Sequence, residues 1–200
     1  MIIQAATFDE IMSRVEEISH AYDSDPGHNK QVTYIALAFF DALISLHHYG
    51  EHERRLLEMA SRMHDIGWSM TVLKKHHKLS GKMILKLDIP GLDDTDRMLC
   101  SLIARYHTKA LPDVSKHQKF ATLDDRCRDI VEWLAAILRV ADALDSSHTS
   151  VVRKLKVKIS EDVVIVQLDT NGDCWDEVRR VKRKQDLLLK KTGKAVIYQC

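Results

Sequence analysis

The chain has 200 residues, 45% of them hydrophobic and 30% charged, with a formal net charge of +1. That length and apolar content suit one core-forming domain with at most a small appendage, and the near-neutral charge argues against a dedicated nucleic-acid binder. No run of about 18 apolar residues and no basic-then-apolar leader occurs, so the sequence predicts no membrane span, no signal peptide and a cytoplasmic location.

Thr7 and Glu10 make a capping-box signature, and Phe8, Ile11, Met12, Val15 and Ile18 recur behind them at helical spacing, which predicts a helix to about Ala21. Asp25-Pro26 reads as an N-cap followed by proline at the first helical position, opening a helix to about His48. On it His28 shares the apolar stripe of Val32, Ile35, Phe39 and Leu43. A third helix is expected over Glu51 to Ile66, stopped by Gly67, with His64 and Asp65 at its inner C-terminal end. Shorter helices follow over Lys78 to Leu87 and Thr95 to His107, then a loop over 108–122 and a long helix over Asp124 to Leu144. That last helix is apolar nearly all round, so it belongs in the middle of a bundle, where Arg139 and Asp142 are costly unless paired or metal-bound.

The character then changes. Residues 1–150 hold 18 Lys/Arg against 22 Asp/Glu and all eleven histidines, whereas residues 151–200 hold 12 against 7 and no histidine. Leu155, Val157 and Ile159 alternate with lysines, a second β-rich run spans Val163 to Leu168, a helix runs from Asp173 towards Gly193, and Ala195 to Tyr198 returns as strand. The expected fold is therefore mainly α: a helical bundle over 1–149 with a small β-hairpin–helix–strand appendage over 150–200. The four scattered cysteines, Cys100, Cys127, Cys174 and Cys200, read as reduced thiols.

His28, His64, Asp65, His77, His107 and Asp142 fall on separate inward-facing helical stretches, a way in which bundles assemble metal sites. Neutral imidazole and carboxylate suit first-row divalent ions, which polarise phosphate oxygens and activate water. His76, beside His77, has a comparable claim. His47, His48 and His52 read as surface groups. Singly, each histidine is as well explained as a satisfied core residue; for Asp142, pairing with Arg139 or another basic side chain is the less favoured reading.

The stretches His28-Asn29-Lys30-Gln31-Val32-Thr33, Met63-His64-Asp65-Ile66-Gly67-Trp68, His76-His77-Lys78-Leu79-Ser80-Gly81, Ile103-Ala104-Arg105-Tyr106-His107 and Arg139-Val140-Ala141-Asp142-Ala143-Leu144-Asp145 together resemble the HD superfamily of metal-dependent phosphohydrolases. Within it, nearly the whole chain is similar to the C-terminal region of the exopolyphosphatase/guanosine-pentaphosphatase (Ppx/GppA) family. The resemblance implies an HD-type helical core. It also implies metal ligation by His28, His64, Asp65 and Asp142, with His77 and His107 completing a second site that Asp65 bridges. Ser146 stands where such relatives often carry an arginine.

The function expected is metal-dependent hydrolysis of a phosphate ester or nucleotide. His64 and Asp65 lie at the catalytic centre, and one or two ions of Mn, Fe, Co, Ni, Zn or Mg are the cofactor. Lys78, Lys82, Arg105, Lys109 and Arg139 are candidates for binding substrate phosphate. For the three lysines taken singly, an ordinary solvated face is the better reading, and Arg139 suits a structural ion pair equally well. With seven glycines and no glycine-rich loop, polyphosphate hydrolysis by the family's N-terminal domains is not expected. The alternative is a non-catalytic module that binds polyphosphate, nucleotide or a separate Ppx-like catalytic chain. The basic residues Arg179 to Lys191 fit that reading, as they fit a plain solvated face. A homodimer is the default assembly.

Overall fold

The computed structural model describes residues 6–22, 25–70 and 75–200. Helix α1 spans Phe8–Tyr22. Its capping box is closed by Thr7 N donating to Glu10 Oε2 at 2.7 Å and Glu10 N donating to Thr7 Oγ1 at 3.3 Å. Helix α2 spans Pro26–Ala42, with the Asp25 side chain accepting from His28 N as its N-cap. A short turn of helix, α3 (Ile44–His47), ends where His48 turns left-handed at φ 57°. Helix α4 (Glu51–Arg62) stops earlier than the pattern suggests. Met63 N and His64 N bond three residues back, to Ala60 O and Ser61 O, so the chain tightens out of the helix. His64 and Asp65 therefore sit in the turn between α4 and the 3₁₀ helix Ile66–Met70, not on the helix itself.

Helices α5 (His76–Ile84) and α6 (Asp94–Tyr106) pack closely, and α6 is N-capped by Asp93. A Cβ on Gly81 would lie 2.8 Å from Ser101 O, so glycine at that position permits the approach. The stretch expected as loop contains one helical turn, α7 (Gln118–Ala121). Helix α8 (Asp125–Ala143), capped by Asp124, runs through the centre: Ile130, Val131, Leu134 to Leu138, Val140 and Ala141 are all buried.

The C-terminal unit is a three-stranded sheet of β1 (Val152–Ile159), β2 (Val163–Thr170) and β3 (Ala195–Gln199), with β2 central, antiparallel to β1 and parallel to β3. One face alternates inward through Val164, Val166, Leu168, Val196 and Tyr198. The crossover that parallel pairing requires is two helices, α9 (Trp175–Lys182) and α10 (Asp186–Thr192), where periodicity alone suggests one. The fold is mainly α with this small α/β unit against the bundle.

Two further expectations change. Cys174 and Cys200 form a disulfide, with Cα atoms 6.5 Å apart, tying the start of α9 to the end of β3, while Cys100 and Cys127 stay free. Sequence spacing does not reveal the pair because the sheet, not the chain, brings the two ends together. His47 is buried at 6% exposure, with Nε2 donating to Phe40 O and Nδ1 accepting from Tyr49 N. Part of the basic run is also used internally: Lys190 pairs with Glu132 and Lys191 with Asp129 and Glu132, fastening α10 to α8. No helix among the described residues is long and apolar enough to cross a membrane.

Candidate metal centre

Four helix ends and one turn converge. His28 comes from the first turn of α2, His64 and Asp65 from the turn after α4, His76 from the first residue of α5, His107 from the C-cap of α6 and Asp142 from the last turn of α8. Terminal positions let side chains reach a common point that helix-interior positions would hold apart.

Three imidazoles are oriented alike. His28 Nδ1 bonds Asp145 Oδ2 at 2.8 Å, His64 Nδ1 bonds Ser61 O at 2.7 Å and His107 Nδ1 bonds Ala104 O at 2.6 Å. Each acceptor holds a proton on Nδ1, which leaves Nε2 as the ring atom facing the cluster, the arrangement by which a hydrogen bond on one ring nitrogen prepares the other as a ligand. His76 is aligned differently, by stacking on Trp68 with ring centroids 4.1 Å apart. Asp145 is itself fully buried and accepts from Ser150 N at 2.8 Å. His148 stacks on His28 at 4.0 Å and bonds Asp25, the N-cap of the same helix.

The Asp65 carboxylate lies between two groups. Its Oδ1 is 3.3 Å from His76 Nε2 and 3.5 Å from His107 Nε2, and its Oδ2 is 3.6 Å from His64 Nε2. Asp142 Oδ1 is 3.5 Å from His28 Nε2 and 3.9 Å from His64 Nε2. Most of these separations are long for hydrogen bonds. They approach the roughly 3.0–3.4 Å between ligand atoms that each sit ~2.1 Å from one ion in tetrahedral or octahedral geometry. His28 Nε2, His64 Nε2 and Asp65 Oδ1 are buried without hydrogen-bond partners, an arrangement that costs ~1–3 kcal/mol per atom unless something else satisfies them. Donor set, spacing and orphaned atoms thus all fit a divalent cation. Three groups bring one ligand atom per residue within 4.8 Å of one another: His28-His64-Asp65, His64-His107-Asp142 and Asp65-His76-His107.

The charges agree with that fit. Burial opposes ionisation of Asp142, but Lys184 and His28 outweigh it and hold the carboxyl well below its ordinary value. Asp65 is likewise lowered, with burial overcome chiefly by His64. Burial pushes the His107 imidazole down to about 3, keeping it neutral as a ligand must be. On His28, burial is outweighed by Asp142 and Asp145, which lift it to about 10, so a cation at Nε2 displaces a proton.

Of the six residues nominated from sequence as ligands, the structure brings together His28, His64, Asp65, His107 and Asp142. It does not bring His77, whose place is taken by His76. His77 is one helical step round, 5.5 Å from the His76 ring, with both ring nitrogens buried and unpartnered. Glycine at position 67 permits the start of α5 to pack this close: a Cβ there would collide with His76 O and lie 2.7 Å from Ser80 N. Arg139 is not free for phosphate. Its Nε donates to Lys184 O at 3.2 Å, Nη1 to Tyr106 O at 3.1 Å and Nη2 to Asp186 Oδ1 at 3.0 Å. Lys78, Lys82 and Arg105 line a separate cavity that shares no residue with the cluster, and Lys109 is exposed just beyond His107. Sequence reasoning missed Lys184, which reaches from the break between α9 and α10 to ion-pair with Asp142. It also missed Trp68 and His148. Their adjacency to the motif residues was a usable signal, whereas for Lys184 there was none.

Comparison with curated protein sequences finds no match. Residues 12–190 match the family described as Ppx/GppA phosphatase, domain III. The match takes in every residue of the cluster and both the bundle and most of the α/β unit. The chain belongs to the Ppx/GppA phosphatase domain III family.

Proposed function

We propose that this chain is a metal-dependent phosphohydrolase of HD-superfamily type, acting on a phosphate ester or nucleotide through a two-ion centre. The observation that carries this reading is Asp65, whose two oxygens face His76 and His107 on one side and His64 on the other. One set of ligands is His28, His64, Asp65 and Asp142, and the other is Asp65, His76 and His107. When bound, divalent ions at such a set supply Lewis-acid polarisation of a phosphoryl oxygen and a nucleophile at neutral pH.

The chain's own residues supply the rest. Asp145, Ser61 O and Ala104 O each engage Nδ1 of an imidazole, so Nε2 is the ring atom left to face an ion. Lys184 sets a positive charge against the cluster, suited to a phosphoryl oxygen as a point-charge donor. A largely buried cluster makes each of these interactions stronger than it would be in water.

The test is elemental analysis of purified protein, followed by a screen of phosphomonoesters, nucleotides and cyclic dinucleotides with Mn²⁺, Mg²⁺, Co²⁺, Ni²⁺ or Zn²⁺. The expected result is bound divalent metal and turnover that Asp65→Asn abolishes. Metal without turnover on any substrate class would make the centre structural, and no metal at all sinks the reading.

A further inference from the structure

Lys184 has a fixed root and a movable charge. Its backbone is held from both sides: the N–H donates to Val181 O at 2.8 Å, and the carbonyl accepts from Arg139 Nε at 3.2 Å. Its side chain is largely buried and ion-pairs with Asp142 Oδ2. Asp65 and Asp142 are the carboxylates of the cluster. Lys184 is the one lysine or arginine among the described residues that ion-pairs with either.

The two oxygens of Asp142 are divided between cations. Oδ2 takes the ammonium, whereas Oδ1 faces His28 Nε2 at 3.5 Å and His64 Nε2 at 3.9 Å. An ion held by those imidazoles uses Oδ1, so it and the ammonium share one carboxylate and repel each other. The ammonium also acts across the cluster. Burial is the main cause lowering the His76 and His107 pKa values, and Lys184 adds to the lowering of both. The bland reading is a structural pair that neutralises a buried acid. It accounts for Lys184 as long as no ion is bound. Once a divalent ion neutralises Asp142, the same reading leaves a largely buried ammonium without a partner of its own, which is costly. With the backbone pinned, the flexible four-carbon stem is the part free to carry the charge elsewhere.

On the two-ion reading given above, we propose that Lys184 is a partner-switching residue that couples metal binding to anion binding at the same centre. Without an ion, its ammonium pairs with Asp142. With the ions in place, it turns to a phosphoryl anion at the centre, which relieves the repulsion and restores a partner to the ammonium. Metal and anion then strengthen each other's binding by the same factor.

The experiment measures Mn²⁺ and Zn²⁺ affinity of the whole, metal-stripped protein by competition against a chelator, in chloride and in methylphosphonate at matched ionic strength. Methylphosphonate is a phosphoryl anion with no ester to hydrolyse, so the reading is of binding and not of turnover. In wild type, methylphosphonate tightens metal binding by a factor about tenfold larger than in Lys184→Met. Lys190→Met, which removes a charge of the same crossover that pairs with Glu132 instead, responds as wild type does. Direct contact between anion and ion contributes to all three proteins alike, so the comparison isolates the lysine. A purely structural Lys184 predicts lower stability in Lys184→Met with an unchanged response to the anion. Equal responses in wild type and Lys184→Met therefore overturn the proposal. So does metal binding in wild type that is the same in both anions, a result that needs no variant to fold and leaves the metal reading standing. Absence of metal binding in every buffer sinks the metal reading itself and this proposal with it.

Discussion

Lys184 ion-pairs with Asp142, so a cation of the α/β unit and a candidate ligand of the bundle's central helix share one contact. Both partners are largely buried, which makes the pair sensitive to any second cation entering the cluster. A fixed positive charge a few ångströms from a divalent ion opposes its binding by more than ~1 kcal/mol even at a high effective dielectric. Lys184→Met is therefore expected to tighten divalent-metal affinity about tenfold, read by competition against a chelator of known affinity. The same variant lowers the melting temperature of the metal-free protein, because Asp142 loses its partner. Weaker metal binding in Lys184→Met would show that the lysine supports the site instead of competing with the ion.

The choice between two adjacent histidines is directly measurable. His76→Ala lowers the metal-to-protein ratio, while His77→Ala leaves it unchanged, as read by elemental analysis after gel filtration. His64→Ala and Asp65→Asn lose metal altogether. The opposite pattern for the two histidines would return the ligand role to His77.

Arg139 joins α8 to the C-terminus of α6 and to the break between α9 and α10 through its three donors. Its side chain is 3% exposed, and breaking buried charged contacts of this kind costs about 3 kcal/mol. Arg139→Met lowers the urea midpoint accordingly, whereas a phosphate-binding role predicts a large change in KM with little change in stability.

His47 gives a pH signature. Burial is the largest cause lowering its pKa below 6.5, outweighing the opposing bond to Phe40 O. A depressed folded-state pKa means that the unfolded chain takes up the proton first. The stabilisation is thus present above about pH 6.5 and is lost as the pH falls below it. His47→Gln costs about 1–2 kcal/mol at pH 8 and less at pH 5, from denaturant melts of both proteins at each pH. A pH-independent difference would mean that the ring acts by packing alone.

The disulfide closes a loop with a sequence separation of 26, for which chain entropy gives about 3.5 kcal/mol of stabilisation. Thiol titration of the unreduced, denatured protein finds two reactive groups, Cys100 and Cys127, and four after reduction. Cys200→Ser lowers the denaturation midpoint. Four reactive thiols without reductant would exclude the bond.

Much of this was legible in the sequence because local rules dominate it. The capping box at Thr7, the Asp25-Pro26 helix start, the buried run of α8 and the alternation in β1 and β2 each depend on neighbours within a few residues. The bundle and the α/β unit follow from them. At the site, the side chains of His28, His64, Asp65, His107 and Asp142, each inward-facing in the sequence pattern, lie close together. His76 and His77 have comparable claims in the sequence, because which of two adjacent residues faces the cluster depends on how α5 packs against the 3₁₀ helix, which no periodicity reports. The role of Arg139 was split between two readings until its three acceptors, all distant in sequence, were in view. Lys184 and the disulfide lie further still from local inference, since each depends on how the sheet docks.

The Gly67 contact implies that which α5 imidazole faces Asp65 depends on how closely the 3₁₀ helix and α5 can approach. Two imidazoles are on offer at the start of α5, and a rotation of about 100° would exchange them. A side chain at position 67 would force that approach apart and lengthen the 3.3 Å between His76 Nε2 and Asp65 Oδ1.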